Sequence, residues 1–253
     1  PYFGHRCESR VYRFRRIRIL PDMQEPIISV SGLRGIVGES LTPAVAANYT
    51  AAFAAVLEAG PIVVTRDGRA SGADFAKVIC DAVSKLGRHC FDGGIAATPT
   101  TGVLVRELRA AGGIQISASH NPPQYNGMKL FSAEGRVVPV DFGRRVLDVY
   151  RQGGAALKGV AAGTLRSVAD TKTAHLRKVL ALVDVAAIRA RRFRVLLDAN
   201  HGSGSVLGMP LLEALGCETE LLGGAPDGLF DHPPETPAET PPAPEPTPEP
   251  EPM

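Results

Sequence analysis

The chain has 253 residues, of which 44% are hydrophobic and 21% are charged, a composition typical of a soluble globular protein with ample material for a core. The formal net charge of +2 argues neither for nor against a nucleic-acid partner, and no apolar stretch approaches the roughly 18 residues that a membrane span requires. The four cysteines show no C-x-x-C spacing, which indicates neither a disulfide framework nor a zinc site and favours a reducing cytoplasm.

The two ends of the chain differ in composition from its middle. Residues 1–26 are rich in arginine and lack cap and turn signals, so we predict a disordered basic extension. A nucleic-acid-binding arm and an organellar transit segment are alternatives, but Met23 directly before the next pattern favours translated upstream sequence, and the arm has no recognisable nucleic-acid-binding fold. Residues 236–253 consist almost entirely of proline, glutamate, threonine and alanine, which predicts disorder.

The first half of the chain alternates short apolar runs with helical patterns. A glycine-rich segment at 29–38 surrounds Arg34, and the arginine-aspartate turn at 66–69 predicts a salt-bridged structural turn. The predicted strands are 61–65, 88–91 and 114–116, and the predicted helices are 42–58, 72–86 and 98–112, with 92–94 as a loop. This alternation predicts a largely parallel sheet covered by helices on both faces.

A serine-containing loop follows the strand at 114–116. Two prolines at 122 and 123 forbid an immediate helix, Asn126-Gly127 predicts a second turn, and 128–131 resumes an apolar strand. Ser119 therefore lies in an exposed loop at the carboxyl end of a strand, where binding and catalytic residues are commonly found in such sheets. His120, Lys129 and nearby backbone amides suit phosphate chemistry at this serine, although an isolated Ser-His-Asn would favour a plain surface turn instead.

The second half predicts another α/β unit. An edge strand at 135–139 and a helix at 140–150 precede a small-residue linker at 153–163. The remaining predicted elements are a helix at 170–189, strands at 193–198 and 218–222, and a helix at 206–215. The loop NHGSGS at 200–205 could be a phosphate cradle or a tight turn, and the lack of a P-loop pattern favours the turn, with His201 as a turn residue.

The string S-A-S-H-N-P-P-x-Y-N-G-x-K resembles the phosphoserine loop of the α-D-phosphohexomutases, the phosphoglucomutase and phosphomannomutase superfamily. The resemblance implies that Ser119 carries the transferred phosphoryl group, that Lys129 handles the proton of the sugar hydroxyl, and that His120 and Asn121 match the neighbours of that serine. S-G-L-R-G resembles the motif whose arginine reaches the active-site phosphate, which makes Arg34 a candidate. The family also implies Mg²⁺, held here by Ser119 through its phosphate.

The same resemblance implies the architecture. We expect two three-layer α/β/α units with mostly parallel mixed sheets, the second of them incomplete. Residues 27–152 would form phosphohexomutase domain I with the phosphoserine loop, and residues 153–235 part of domain II.

The implied activity is that of an isomerase, an intramolecular phosphotransferase that interconverts hexose 1-phosphate and hexose 6-phosphate through a bisphosphorylated sugar. Its partners would be a phosphorylated hexose and hexose 1,6-bisphosphate as activator. The sequence contains no D-x-D, which the family's magnesium loop requires. A truncated, catalytically inactive fragment or a pseudoenzyme is therefore the alternative.

Overall fold

The computed structural model describes residues 25–29, 31–153 and 161–233. The predictions for the basic extension, most of the linker and the proline-rich tail lie outside these residues. The strands are β1 (Ile27–Ser29), β2 (Gly32–Ile36), β3 (Ile62–Arg66), β4 (Cys90–Ile95), β5 (Gly112–Ile116), β6 (Tyr125–Ser132), β7 (Leu165–Ser167), β8 (Arg194–Asp198) and β9 (Glu218–Leu222). The helices are α1 (Pro43–Val56), α2 (Gly72–Lys85), α3 (Thr98–Glu107), α4 (Val140–Arg151), α5 (Thr173–Leu180), α6 (Val185–Arg191) and α7 (Gly204–Ala214).

A mixed sheet of seven strands organises the first part of the described chain, in the order β1-β2-β6-β5-β3-β4-β7. The strands β5, β3, β4 and β7 run parallel, as the alternation of strands and helices predicted. The strands β1, β2 and β6 add an antiparallel edge beside β5. This antiparallel edge is what brings β2, early in the chain, against β6 and the serine loop.

Helices cover both faces of this sheet. Thr42 begins α1 by accepting a hydrogen bond from the amide of Val45 (3.3 Å), and Pro43 occupies the first turn, where its missing N–H costs nothing. The helices α1, α2 and α4 pack on one face around a core that includes Tyr49 and Phe53, and α3 packs on the other against Val63. The three-layer α/β/α arrangement of this unit is confirmed.

Two short predictions were wrong because tertiary pairing overrides local turn preference. Residues 92–94, predicted as a loop, continue β4, since β3 pairs with Asp92 and Ile95 on either side of the two glycines and β7 also pairs with Asp92. Asn126-Gly127, predicted as a turn, lies inside β6, where a Cβ on Gly127 would come 2.5 Å from the carbonyl oxygen of Leu33. Glycine is needed there for close strand packing rather than for a turn.

Two further predictions concern segments that lack their predicted regular structure. Residues 135–139 form no strand and contribute a single bridge between Phe131 and Val137. The helix predicted at 170–189 is interrupted at 181–184, where Asp184 accepts a hydrogen bond from the amide of Ala187 (2.9 Å) and so begins α6. An aspartate that can cap a new helix competes with continuing the old one.

The second unit is small in the described residues. Its strands β8 and β9 pair in parallel, with the predicted bounds of β9 confirmed, and α7 packs against both. None of the helices in residues 25–29, 31–153 and 161–233 has the length and apolar character to span a membrane.

Candidate active site

Ser119 lies on the loop that joins β5 to β6 and has a left-handed backbone, with φ of 56°. A left-handed conformation is uncommon for a residue with a side chain and costs energy unless neighbouring contacts impose it. The preceding Ala118 is buried, whereas Ser119 is exposed. The amide of Ser119 donates to Oγ of Ser117 (3.1 Å), so the loop presents the Ser119 side chain from a fixed turn.

The pairing of β2 with β6 brings two cations together. Gly32 pairs with Lys129 and Arg34 with Gly127, so the side chains of Arg34 and Lys129 project from the same face of the sheet on adjacent strands. A Cβ on Gly32 would lie 1.9 Å from the carbonyl oxygen of Met128, which explains why only glycine fits between these strands.

A cleft of about 330 Å³ opens beside the serine loop. Arg34, Ser119, His120 and Lys129 all line it, together with Thr98 at the start of α3. Nδ1 of His120 lies 3.5 Å from Oγ of Ser119, at the outer limit of a hydrogen bond. The cleft therefore combines a hydroxyl, an imidazole, an ammonium and a guanidinium, a set suited to binding phosphate oxygens.

Asn121, the remaining predicted site residue, serves the loop itself. Its Nδ2 donates to the carbonyl oxygen of Ala118 (2.6 Å), and it is not among the residues that line this cleft. The side-chain amide of Asn121 thus stabilises the turn that follows Ala118.

Arg69 is a residue whose importance the sequence did not reveal. The predicted ion pair is present, with Nε of Arg69 3.3 Å from Oδ2 of Asp67. The side chain of Arg69 is only 2% exposed, however, and its guanidinium reaches the serine loop some 50 residues along the chain. Only the R-D-G-R pattern pointed to this residue, and it pointed to the turn rather than to the loop.

A buried polar cluster lies beneath the serine loop and was also missed. Oε1 of Gln115 accepts hydrogen bonds from the hydroxyls of Thr65 and Thr101, the second at 2.7 Å, and Nε2 of Gln115 donates to the carbonyl oxygen of Ala96 (3.2 Å). These contacts join β5 to β3, α3 and the end of β4 just before the loop begins. Sequence periodicity carries no signal for such a cluster because Gln115 stands within an apolar run.

Ser119 also lines a second cleft, of about 370 Å³. Its other lining residues come from the second unit and include Asp198, Asn200, Phe230 and His232. The amide Nδ2 of Asn200 donates to the carbonyl oxygen of His232 (2.9 Å). Within the loop at 200–205, the amide of Gly202 donates to the carbonyl oxygen of Ala199 (2.7 Å), which is a local turn bond.

His232 and Asp198 form a polar contact in that second cleft, with Nε2 of His232 2.9 Å from Oδ2 of Asp198. The backbone carbonyl of Pro233 and the Asp198 carboxylate raise the pKa of His232. The same histidine, together with the amide of Asn200, lowers the pKa of Asp198. Within the described part of the chain, no three His, Cys, Asp or Glu side chains cluster in a way that could hold a metal ion.

Comparison with known proteins decides the family. The family model "Phosphoglucomutase/phosphomannomutase, alpha/beta/alpha domain I" matches residues 26–156, the segment that contains the whole serine loop and the cleft. The chain belongs to the phosphoglucomutase/phosphomannomutase family.

Two curated relatives of this family member are phosphoglucosamine mutases. That of Prochlorococcus marinus (strain MIT 9303) is 35% identical over 210 residues, which cover 78% of this chain and 43% of the relative. That of Synechococcus sp. (strain CC9605) is 33% identical over 206 residues, covering 80% of this chain and 44% of the relative. The chain thus spans less than half the length of these relatives.

Solved structures support the fold. A Thermus thermophilus protein described as a phosphomannomutase superposes with a TM-score of 0.74 at 24% identity, over 82% of this chain and 48% of that protein. A phosphoglucomutase/phosphomannomutase family protein from Burkholderia thailandensis gives a TM-score of 0.65 at 24% identity, over 81% and 46% of the two chains. The predicted α/β architecture with a mostly parallel mixed sheet is therefore confirmed.

Proposed function

We propose that this chain carries the phosphoryl relay of a phosphohexomutase, with Ser119 as the group that gives and takes the phosphoryl. The observation that carries the proposal is that Arg34, Ser119, His120 and Lys129 line one cleft although they come from different strands and loops. A substrate class follows from the family, namely phosphorylated hexoses, with hexose 1,6-bisphosphate as the activator that loads Ser119.

The reaction would proceed in two transfers. In the first, a sugar hydroxyl oxygen attacks the phosphorus on Ser119, the bond between phosphorus and Oγ breaks, and Lys129 carries the proton from the sugar hydroxyl to Oγ. In the second, Oγ attacks the other phosphorus of the bisphosphorylated sugar, the bond between that phosphorus and the sugar oxygen breaks, and Lys129 returns the proton from Oγ to the sugar oxygen. Phosphoryl transfer depends mostly on positioning and on stabilising spread negative charge, which Arg34 and His120 would supply at the phosphate oxygens.

The family's Mg²⁺ does not fit the described residues alone. A phosphate on Ser119 would supply one oxygen ligand, and the first cleft offers cations rather than further carboxylates. For this reason, neither of the two transfers is written with a role for the metal. Magnesium remains part of the proposal for a longer protein, as does the cytoplasmic location expected from the cysteines.

Labelling tests the assignment directly. The chain, and a version extended to the length of the relatives, would be incubated with hexose 1,6-bisphosphate carrying labelled phosphate, followed by peptide mapping. We expect label on Ser119, its loss in Ser119→Ala and its retention in the control Ser167→Ala, which removes an exposed hydroxyl in β7 that lines neither cleft. Label that maps to any other residue rejects the assignment.

Kinetics of the extended protein then test the individual roles. Lys129→Ala should lower kcat by about 10²–10⁴, the usual range for a lost general acid or base. Arg34→Ala should lower kcat by about 10²–10³, as for removal of one charge-stabilising donor. A variant that alters KM alone would assign its residue to sugar binding instead.

An inactive fragment or pseudoenzyme is the second candidate. The lack of a metal cluster in residues 25–29, 31–153 and 161–233 favours it for this polypeptide on its own. Mutase assays on this chain and on the extended version, each with added Mg²⁺ and with a chelator, separate the two candidates. Turnover by the extended version alone would support the fragment interpretation, and turnover by both would exclude it.

A further inference from the structure

The guanidinium of Arg69 binds the backbone of the serine loop at four carbonyl oxygens. Its Nη1 donates to the carbonyl oxygens of Pro122 (2.8 Å) and Tyr125 (3.1 Å). Its Nη2 donates to the carbonyl oxygens of Ser119 (3.0 Å) and Asn121 (2.6 Å). One buried cation thus joins both ends of the loop and its centre.

This arrangement needs arginine in particular. A planar guanidinium has several donors fixed in one plane, whereas the single ammonium of lysine is a point charge with three donors on one nitrogen. The carbonyl of Ser119 itself is among the acceptors, so Arg69 sets the orientation of the peptide plane that follows the left-handed Ser119. Hydrogen bonds to a buried charge are stronger than neutral ones and can hold such a strained residue in place.

Residues 226–230 of the second unit also contact Arg69 and its turn. The guanidinium carbon of Arg69 lies 5.1 Å from the ring centre of Phe230, a distance typical of a cation–π contact. Backbones also approach closely, since a Cβ on Gly68 would lie 2.3 Å from the carbonyl oxygen of Pro226 and one on Gly228 would lie 2.7 Å from Cα of Arg69. Arg69 is therefore enclosed between the serine loop and the segment 226–230.

We propose that Arg69 is the positioning residue of Ser119, and that Phe230 keeps its guanidinium on the loop carbonyls. The claim rests on the proposed function in so far as the positioned hydroxyl is the phosphoryl carrier. It assigns to the 66–69 turn a role beyond a local ion pair, and it couples the second unit to the serine loop through one side chain.

The test compares Arg69→Lys with the matched control Arg66→Lys in the same turn. Nη1 of Arg66 donates to the carbonyl oxygen of Asp67 (3.3 Å), a contact within the turn rather than with the loop carbonyls. Amide hydrogen exchange would be followed at Asn121 and Tyr125, whose amides donate to carbonyls within the loop. Exchange in β5 and in residues 126–132 of β6 serves as the internal reference.

We expect Arg69→Lys to raise exchange at Asn121 and Tyr125 by roughly 10- to 100-fold, the factor expected for one lost hydrogen bond to a charged group. Exchange in β5 and in residues 126–132 of β6 should stay unchanged, and Arg66→Lys should match the wild type throughout. Label uptake at saturating bisphosphate should slow by a similar factor in Arg69→Lys, with the half-saturating concentration changed by less than about twofold.

Phe230→Leu is the second variant, and it keeps Arg69 intact should Arg69→Lys fail to fold. It should raise loop exchange by about 2- to 10-fold, in line with the loss of one cation–π contact. Wild-type loop exchange in the folded variants would overturn the proposal, and so would an equal rise in β5, β6 and the loop. If the wild-type protein takes label elsewhere than Ser119, the proposed function fails while the exchange results still decide the positioning role.

Discussion

The buried cluster under the serine loop allows a quantitative prediction about Thr65 and Thr101. Three oxygen contacts connect the hydroxyls of Thr65 and Thr101 with Oε1 of Gln115, including 2.6 Å between the two hydroxyls. The two hydroxyls carry only two hydrogens, so at most two of the three contacts are hydrogen bonds at any time. Oε1 of Gln115 keeps one donor if either hydroxyl is removed and loses both only if the two are removed together.

The magnitudes follow from that count. Thr65→Val or Thr101→Val alone should lower the free energy of unfolding by about 1 kcal/mol, the net value of one hydrogen bond. The double variant should additionally leave a fully buried acceptor unpaired, which costs about 1–3 kcal/mol more. We therefore expect a coupling energy of that size between the two substitutions, with the double variant less stable than the sum of the single ones.

Urea unfolding followed by far-ultraviolet circular dichroism gives the four free energies of this double-mutant cycle. Thr50→Val is the matched control, because Thr50 is also buried and its hydroxyl donates to the carbonyl oxygen of Ala46 (2.8 Å), remote from the cluster. Combined with Thr101→Val it should show additive effects. Additivity within about 0.5 kcal/mol for Thr65 and Thr101 as well would refute the shared-acceptor account.

Three further predictions concern buried or paired titratable groups. Tyr49→Phe should leave the free energy of unfolding unchanged or raise it by about 1 kcal/mol in the same urea assay, because the buried hydroxyl of Tyr49 has no hydrogen-bond partner among the described residues. A fall in the free energy of unfolding of more than about 1 kcal/mol would contradict this. Burial lowers the pKa of His175 below its ordinary 6.5, so the unfolded chain binds this proton first and the free energy of unfolding should fall as pH drops below about 6.5. Thermal unfolding of His175→Gln should lack this loss of stability in acid, and equal losses in both proteins would contradict the prediction. The pKa of His232 is raised, so its contact with Asp198 stabilises the fold at pH below about 6.5 and weakens as pH rises through the raised pKa. An NMR titration should give a higher His232 pKa in the wild type than in Asp198→Asn, and identical values would disprove the contact.

Much of the fold was predictable from local patterns. Thr42-Pro43 predicted the start of α1 because a hydroxyl cap and a fixed proline φ act within one turn. Alternating strands and helices predicted the parallel strands, because short apolar runs suit strands that are covered on both faces. The motif around Ser119 predicted the family and the residues of the first cleft, while their catalytic roles stay predictions.

Contacts between distant segments were not predictable in the same way. Asn126-Gly127 prefers turns locally, yet both residues lie in β6 because the close approach of Leu33 requires a residue without a side chain at 127. Arg69 looked like half of a local ion pair, and its four bonds to the serine loop exist only because the folded sheet brings residues 69 and 119–125 together.

The sequence by itself determined where several helices begin, such as α1 at Thr42-Pro43, and which family motif surrounds Ser119, since side-chain type and backbone preference act over a few neighbouring residues. The tertiary structure alone decided the other surroundings of that serine: the buried guanidinium of Arg69 on the carbonyls of its loop, and a second cleft that Ser119 shares with His232. The reason is that burial and hydrogen bonding between distant segments depend on how the whole chain packs, and no local pattern encodes those partners.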